Sequence, residues 1–305
     1  MNFYSRGKLL ISGEYLVMKG ASALTVPLQK GQTLSVELEN EQGIIRWTSL
    51  VHGKEWFSCT INFTLFEVMT SSDVRKAQFL AELLKSAYEL NRGFLSVNQG
   101  YGVTTDLDFN LDWGFGSSST LISNVAFWAG IDPFDLHRKV SQGSGYDVVC
   151  ARHDQPLIFT LKTQGYIIKP VDFKPPFRNR IFFIYLGKKQ DSSISVKKFL
   201  GKEVADRGLI REISLLSETM ASAENIDVFN KSLKSHDQIL SKLLTQPRLK
   251  EGRFPELDGE VKPLGAWGGD FAMMTFGGDR SELVSYLKQK NIEVIFSFDE
   301  IVKTK

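Results

Sequence analysis

Three separated stretches of this 305-residue sequence combine glycines, hydroxyls and charged side chains in ways that could handle an anion. Residues 112–120, DWGFGSSST, set Gly114 and Gly116 around a phenylalanine and follow them with Ser117, Ser118 and Ser119 before the apolar run LISNVAFWA. A strand that ends in glycines at the mouth of a helix leaves backbone N–H groups unpaired and aimed one way, and the helix dipole adds partial positive charge there. The glycines allow close approach of an anion, and the serine hydroxyls can bond phosphate oxygens or complete a magnesium shell. The same residues also fit a plain loop and helix N-cap, and the GK[ST] ending of a P-loop is absent.

Residues 262–274, KPLGAWGGDFAMM, place Gly265, Gly268 and Gly269 just before an apolar strand, as either a ligand-covering loop or a tight turn. Residues 7–20, GKLLISGEYLVMKG, put Lys8 and Glu14 on an otherwise apolar segment, where charges are costly unless they face a cleft or each other. Lys8 also fits a surface charge on an edge strand. Asp147 follows a glycine-rich turn in QGSGYDVV and reads as an acid or a helix cap.

These residues need elements to hold them. The segments KLLISGEYLVMKG and ASALTVPL read as two apolar strands joined by a turn, and TLSVELE, GIIRWTSLV and EWFSCTINF continue the period-two pattern, predicting an antiparallel sheet. Residues 73–91 carry apolar side chains at helical spacing behind an Asp73 N-cap. GYGVTTDLDF reads as a strand entering the glycine-serine stretch, and residues 121–129 as the buried helix after it. Pro170, Pro175 and Pro176 break regular structure, which divides the chain into expected domains 1–165 and 166–305. Beyond them, IFFIYLG, DFAMMTF and EVIFSF read as strands interleaved with the helical patterns GLIREISLLSETMASA, DVFNKSLKSHDQILSKLL and RSELVSYLKQK, an α+β arrangement.

Composition narrows the function classes. The sequence is 42% hydrophobic and 24% charged, and its 37 basic against 35 acidic residues leave a formal charge of only +2, so neither nucleic acid nor an anionic membrane surface is an expected partner. Cys59 and Cys150 lie far apart without a CxxC pattern, which argues against a disulfide framework or zinc site and points to a reducing cytoplasm. The first residues leave no room for a signal peptide's apolar core, and no apolar run is long enough to cross a bilayer.

The three glycine-bearing motifs, in this order, resemble those of the GHMP kinase superfamily, which groups galactokinase, homoserine kinase, mevalonate kinase and phosphomevalonate kinase. RGKLLISGEYLVMKGASAL is similar to the first motif, WGFGSSST to the second, usually written PxxxGLGSSA, and PLGAWGGDFAMM to the third. The resemblance spans nearly the whole chain. It implies a two-domain fold, N-terminally like ribosomal protein S5 domain 2 with a left-handed βαβ unit and C-terminally ferredoxin-like, with ATP, Mg2+ and a small-molecule substrate as ligands. By the same resemblance Asp147 takes the proton of the attacking oxygen, and Lys8 lies beside it, keeping the acid ionised and steadying the transferred group. Gly114, Gly116, Ser117, Ser118 and Ser119 would bind the nucleotide phosphates, with Ser118 on the magnesium side. Gly265, Gly268 and Gly269 would close on the substrate, on whose side Glu14 also falls.

Asn110, Phe115 and Ser119 replace the proline, leucine and final alanine of the second motif, and Trp267 and Asp270 stand where many members have glycine. Counting back from Asp147 to the place of the family's magnesium-holding glutamate lands near Leu136. The strings GEY, GSGYD and GGD lean toward phosphomevalonate kinase rather than mevalonate kinase. In YLGKKQDSSISVKK, Lys188 and Ser192, with Lys189 and Ser193, are candidates to hold a substrate phosphate or carboxylate, or form a solvated turn. A sugar or amino-acid kinase of the same type, a related decarboxylase, and a non-catalytic metabolite-binding regulator are the alternatives. The presence of both Asp147 and Lys8 disfavours the last.

Overall fold

The computed structural model describes residues 1–187, 206–265 and 270–304. They fall into two compact units, each discontinuous in sequence: one from Met1–Gly7, Lys30–Leu111 and Phe115–Arg152, the other from Lys8–Gln29, Asp112–Gly114 and His153–Lys305.

In the first unit, strands β3 (Ile44–Val51), β4 (Lys54–Asn62) and β5 (Glu67–Ser71) pair antiparallel in turn. Strand β6 (Gly100–Leu107) pairs antiparallel with residues 32–39 of β2 (Ala23–Glu39) and parallel with β3, so the expected antiparallel sheet has one parallel ladder. The physical reason is the connection from β3 to β6, which contains a hairpin and a helix, long enough to return the chain to the same end of the sheet. That helix, α1 (Val74–Leu90), begins where Asp73 accepts hydrogen bonds from the amides of Arg75 and Lys76, as its sequence predicts. Its buried stripe of Ala77, Leu80, Leu84 and Ala87 packs toward β4, β5 and helices α2 (Ser117–Ala129) and α3 (Pro133–Val140). Helix α4 (Tyr146–Cys150) packs on α2 and α3.

The second unit begins within β1 (Asn2–Leu10). The expected strand-turn-strand is only partly right. LVMK forms a 3-10 turn (Leu16–Lys19), and ALTVPL and TLSVELE belong to one 17-residue strand, β2. Leu16 is buried in one cluster with Tyr15, Ala21, Ile213 and Leu240, so this apolar piece finds its partners on helices rather than on a sheet. Residues 23–25 of β2 pair with β7 (Leu157–Leu161), which forms a hairpin with β8 (Tyr166–Pro170). A second, antiparallel sheet runs β10 (Val261–Pro263), β11 (Phe271–Thr275), β9 (Ile181–Tyr185), β12 (Ile295–Ser297). With it come helices α5 (Arg207–Ala221), α6 (Ile226–Leu244), α7 (Leu249–Arg253), α8 (Arg280–Gln289) and α9 (Phe298–Ile301). The interleaved strands and helices read from the sequence are all present here. Phe182, Ile184, Val261, Ala272 and Met274 join Phe254, Leu283 and Leu287 in one buried cluster under that sheet. Among the described residues no helix is long and apolar enough to cross a membrane.

Candidate functional site

Helix α2 starts four residues earlier than its apolar pattern predicts, at Ser117, because Gly116 takes the N-cap position with φ of +93°. A side chain is strained at that angle, so the position favours glycine. The first rung of the helix is the Thr120 N–H to the Gly116 carbonyl at 2.8 Å, which leaves the N–H groups of Ser117, Ser118 and Ser119 ahead of the ladder. No acidic side chain occupies this first turn. The helix is fixed from below by a buried polar web: Asn124 Nδ2 donates to the Gln32 carbonyl at 2.9 Å, Ser5 Oγ donates to Asn124 Oδ1 at 2.8 Å, and Thr120 Oγ1 donates to Gln32 Oε1 at 2.9 Å. Buried polar groups satisfied in this way hold one arrangement.

Asp147 lies in the first turn of α4, behind Gly145. Ser119 Oγ donates to its Oδ2 at 2.6 Å, and the Val148 amide donates to its Oδ1 at 3.0 Å. Ser119 is 4% exposed, so its hydroxyl is committed to the carboxylate. This commitment draws the Ser119 hydroxyl away from the phosphate-binding place expected for it, while Ser117 is half-buried and Ser118 exposed. His137, on α3, is buried beneath the glycines of the 143–145 turn, and its Nδ1 has no partner among the described residues. Burial pushes this imidazole below its ordinary pKa against a smaller upward pull from Asp147.

In the second unit, Lys8 Nζ donates to the Gly114 carbonyl at 3.1 Å. Gly114 has φ of +65°, an angle that strains a side chain, and a Cβ there would also overlap the Asp270 carboxylate. Trp113 meets Phe271 and Phe296 edge-on, at 6.2 and 5.3 Å between ring centres. Glu14 sits in the core, its Oε1 accepting from Lys262 Nζ, with His236 Nε2 at 3.4 Å from Oε2. Burial raises the Glu14 carboxyl to about 7 despite Lys262. Gly265 has φ of +73° just past β10. Lys188, Ser192, Gly268 and Gly269 lie outside the described residues.

Sequence reasoning thus named Asp147 and Ser119 without pairing them, and missed His137, His236 and Lys262. The only available signal for the two histidines is an ionisable residue on an apolar helix face, and for Lys262 a lysine beside proline in a short strand.

Among the described residues no three His, Cys, Asp or Glu side chains gather to hold a metal. A magnesium ion carried in on a triphosphate needs only one or two protein oxygens, and the Asp147 carboxylate and Ser118 hydroxyl are hard oxygen donors of that kind.

No protein-family model matches the sequence, and no curated protein matches it. Solved structures do. Streptococcus pneumoniae phosphomevalonate kinase in complex with phosphomevalonate and AMPPNP aligns with a TM-score of 0.72 at 14% identity, over 97% of this chain and 99% of that one. Methanococcus jannaschii mevalonate kinase aligns at 0.69 and 16% identity, over 100% and 98%. Lactococcus lactis galactokinase complexed with galactose aligns at 0.65 and 12% identity, over 99% and 93%. Each alignment covers at least 97% of this chain and 93% of the other, so the chain shares the fold of these solved GHMP kinases, α and β elements around one large and one small sheet.

Proposed function

We propose that this chain is an ATP-dependent phosphotransferase that moves a γ-phosphoryl group onto a small acceptor of the phosphomevalonate or mevalonate type. The observation that carries this reading is Asp147, held by Ser119 and the Val148 amide beside a helix start whose first three N–H groups precede the hydrogen-bond ladder. It is supported by the shared fold, one solved example of which holds phosphomevalonate and AMPPNP.

The roles follow from the chemistry of each group. The N–H groups of Ser117, Ser118 and Ser119 bind nucleotide phosphate oxygens, with Gly114 and Gly116 giving close approach. Ser118 is the hydroxyl that would meet Mg2+, which would supply charge neutralisation to the transferred group. Asp147 takes the proton of the acceptor's attacking oxygen, the hydroxyl of mevalonate or a protonated phosphate oxygen of phosphomevalonate, and its two hydrogen bonds fix the carboxylate while each oxygen keeps a lone pair. Lys8 supplies positive charge to the transferred group, and Lys188, Ser192, Gly265, Gly268 and Gly269 serve the acceptor side. Because phosphoryl transfer passes through a loose transition state, such positioning and electrostatics provide most of the catalysis.

An ADP-release assay with ATP and Mg2+ over mevalonate, phosphomevalonate, homoserine and galactose tests the proposal. Phosphomevalonate or mevalonate is expected to give the highest kcat/KM. Release from galactose or homoserine alone overturns the acceptor class, and no release above the acceptor-free rate with any of the four overturns the kinase reading.

A further inference from the structure

Glu14 and its surroundings are not built like a substrate site. Glu14, Lys262 and His236 are 2%, 1% and 0% exposed, and they come from the turn after β1, from β10 and from α6, all in the second unit. The turn that carries Glu14 is bent around it, with φ of +90° at Gly13 and +62° at Tyr15. Positive φ at a tyrosine persists only where surroundings over-determine it. Those surroundings are polar bonds to three elements. His236 Nε2 accepts from the Gly13 amide at 2.9 Å, Ser12 Oγ donates to Ser217 Oγ at 2.8 Å, and the Ser22 amide donates to Ser214 Oγ at 2.9 Å. Lys262 Nζ bonds Glu14 and also donates to the Pro263 carbonyl at 3.2 Å, at the end of β10 where the third glycine-bearing stretch begins. Glu14 Oε2 has no hydrogen-bond partner among the described residues.

A buried ion pair is a poor source of stability, since desolvation of both charges offsets their attraction, and its best use is to fix one arrangement. We propose that Glu14 and Lys262 are a positioning pair that ties the first-motif turn to the β10 end of the third motif, and that Glu14 acts on phosphoryl transfer through Lys262 rather than by touching the acceptor. This rests on the kinase reading for its catalytic consequence, and not for the pairing itself.

The pair works in its ionised form. Facing it are His236 and Asp237 from α6, while Arg248 and Glu260 flank Asp237. His236 is neutral in the working range because burial and Lys262 both lower it. Arg248 bonds Asp237 at 2.9 Å and Glu260 at 2.7 Å, which leaves Lys262 as the cation bonded to Glu14. Protonation of Glu14 removes the negative charge that Lys262 faces.

The test compares Glu14→Gln, Lys262→Met and the double variant, each checked for folding by circular dichroism. Urea unfolding reads the pairing directly. The double variant is expected to be at least tenfold more stable, in unfolding equilibrium constant, than the sum of the single losses predicts. Additive losses overturn the pairing, whether or not the chain is a kinase. Where the parent shows transfer, Glu14→Gln is expected to lower kcat at least tenfold with acceptor KM within threefold. Its kcat should also lose the fall that the parent shows below pH 7, and the double variant should recover part of the rate. A raised acceptor KM with unchanged kcat in Glu14→Gln, while Lys262→Met leaves both constants unchanged, overturns the positioning role and makes Glu14 an acceptor contact. A parent with no transfer to any acceptor overturns the kinase reading and the catalytic consequence, and leaves the unfolding cycle to judge the pair.

Discussion

Ser119 donates its hydroxyl proton to Asp147 Oδ2 at 2.6 Å, joining the end of the first turn of one helix to the start of another across 28 residues of sequence. Ser119 stands where the motif it resembles ends in alanine, so this bond is a feature of the present chain and not of the pattern. Asp147→Asn is expected to keep the fold and lower turnover by about 10², the contribution of a positioned base. Ser119→Ala should lower kcat by about tenfold in the parent and by less than twofold in the Asp147→Asn background, since the hydroxyl acts through the carboxylate. Steady-state kinetics of the two single variants and the double variant check this, and equal effects in both backgrounds would separate Ser119 from Asp147.

The helix start at Gly116 carries a second prediction. Valine there must adopt φ of +93° and crowds the approach to the first N–H groups. Gly116→Val is expected to abolish binding of a non-hydrolysable ATP analogue in calorimetric titration while circular dichroism stays that of the parent. A folded variant with parental affinity reduces the stretch to a capped turn.

Ser118→Ala keeps the backbone cradle and removes one hydroxyl. Its expected signature is a severalfold rise in the Mg2+ concentration for half-maximal turnover, with affinity for the metal-free nucleotide unchanged. Magnesium titrations of parent and variant at fixed ATP decide the point.

Lys8 bonds the Gly114 carbonyl at 3.1 Å, a contact that a neutral side chain of similar length loses along with its charge. Lys8→Met is expected to depress kcat by 10² or more and to weaken ATP binding by less than tenfold, as for a charge that serves the transferred group more than the ground state. The reverse pattern would make Lys8 an anchor for the nucleotide.

Glu14 gives the fold a pH dependence whose sign is fixed by its environment. Burial raises its carboxyl from 4.5 to about 7, so between those values the folded state holds a proton that the unfolded chain has released. Its contribution to stability is therefore greatest below about pH 4.5 and declines as pH rises through about 7. Urea unfolding of Glu14→Gln across pH 5 to 8 should show a flatter profile than the parent over that window. Parallel profiles would remove Glu14 as the titrating group.

Local signals alone determined a good part of this protein. Asp73 capped the helix it precedes, the alternation in GIIRWTSLV and EWFSCTINF became β3 and β4, and the helical patterns after residue 206 became α5, α6 and α8, because capping bonds and apolar periodicity act within a few residues. The glycine motifs were legible for the same reason, as residue types that a tight backbone with positive φ favours, which Gly114, Gly116 and Gly265 adopt. Tertiary structure decided what those signals leave open. LVMK is as apolar as a strand, yet it forms a 3-10 turn whose Leu16 packs with Ile213 and Leu240 of two helices. The parallel pairing of β3 with β6 depended on how the chain between them returned. Ser119 found Asp147, and Glu14 found Lys262, across 28 and 248 positions. No periodicity encodes such pairs: they form when packing brings polar groups distant in sequence together and limits the water that would otherwise satisfy them.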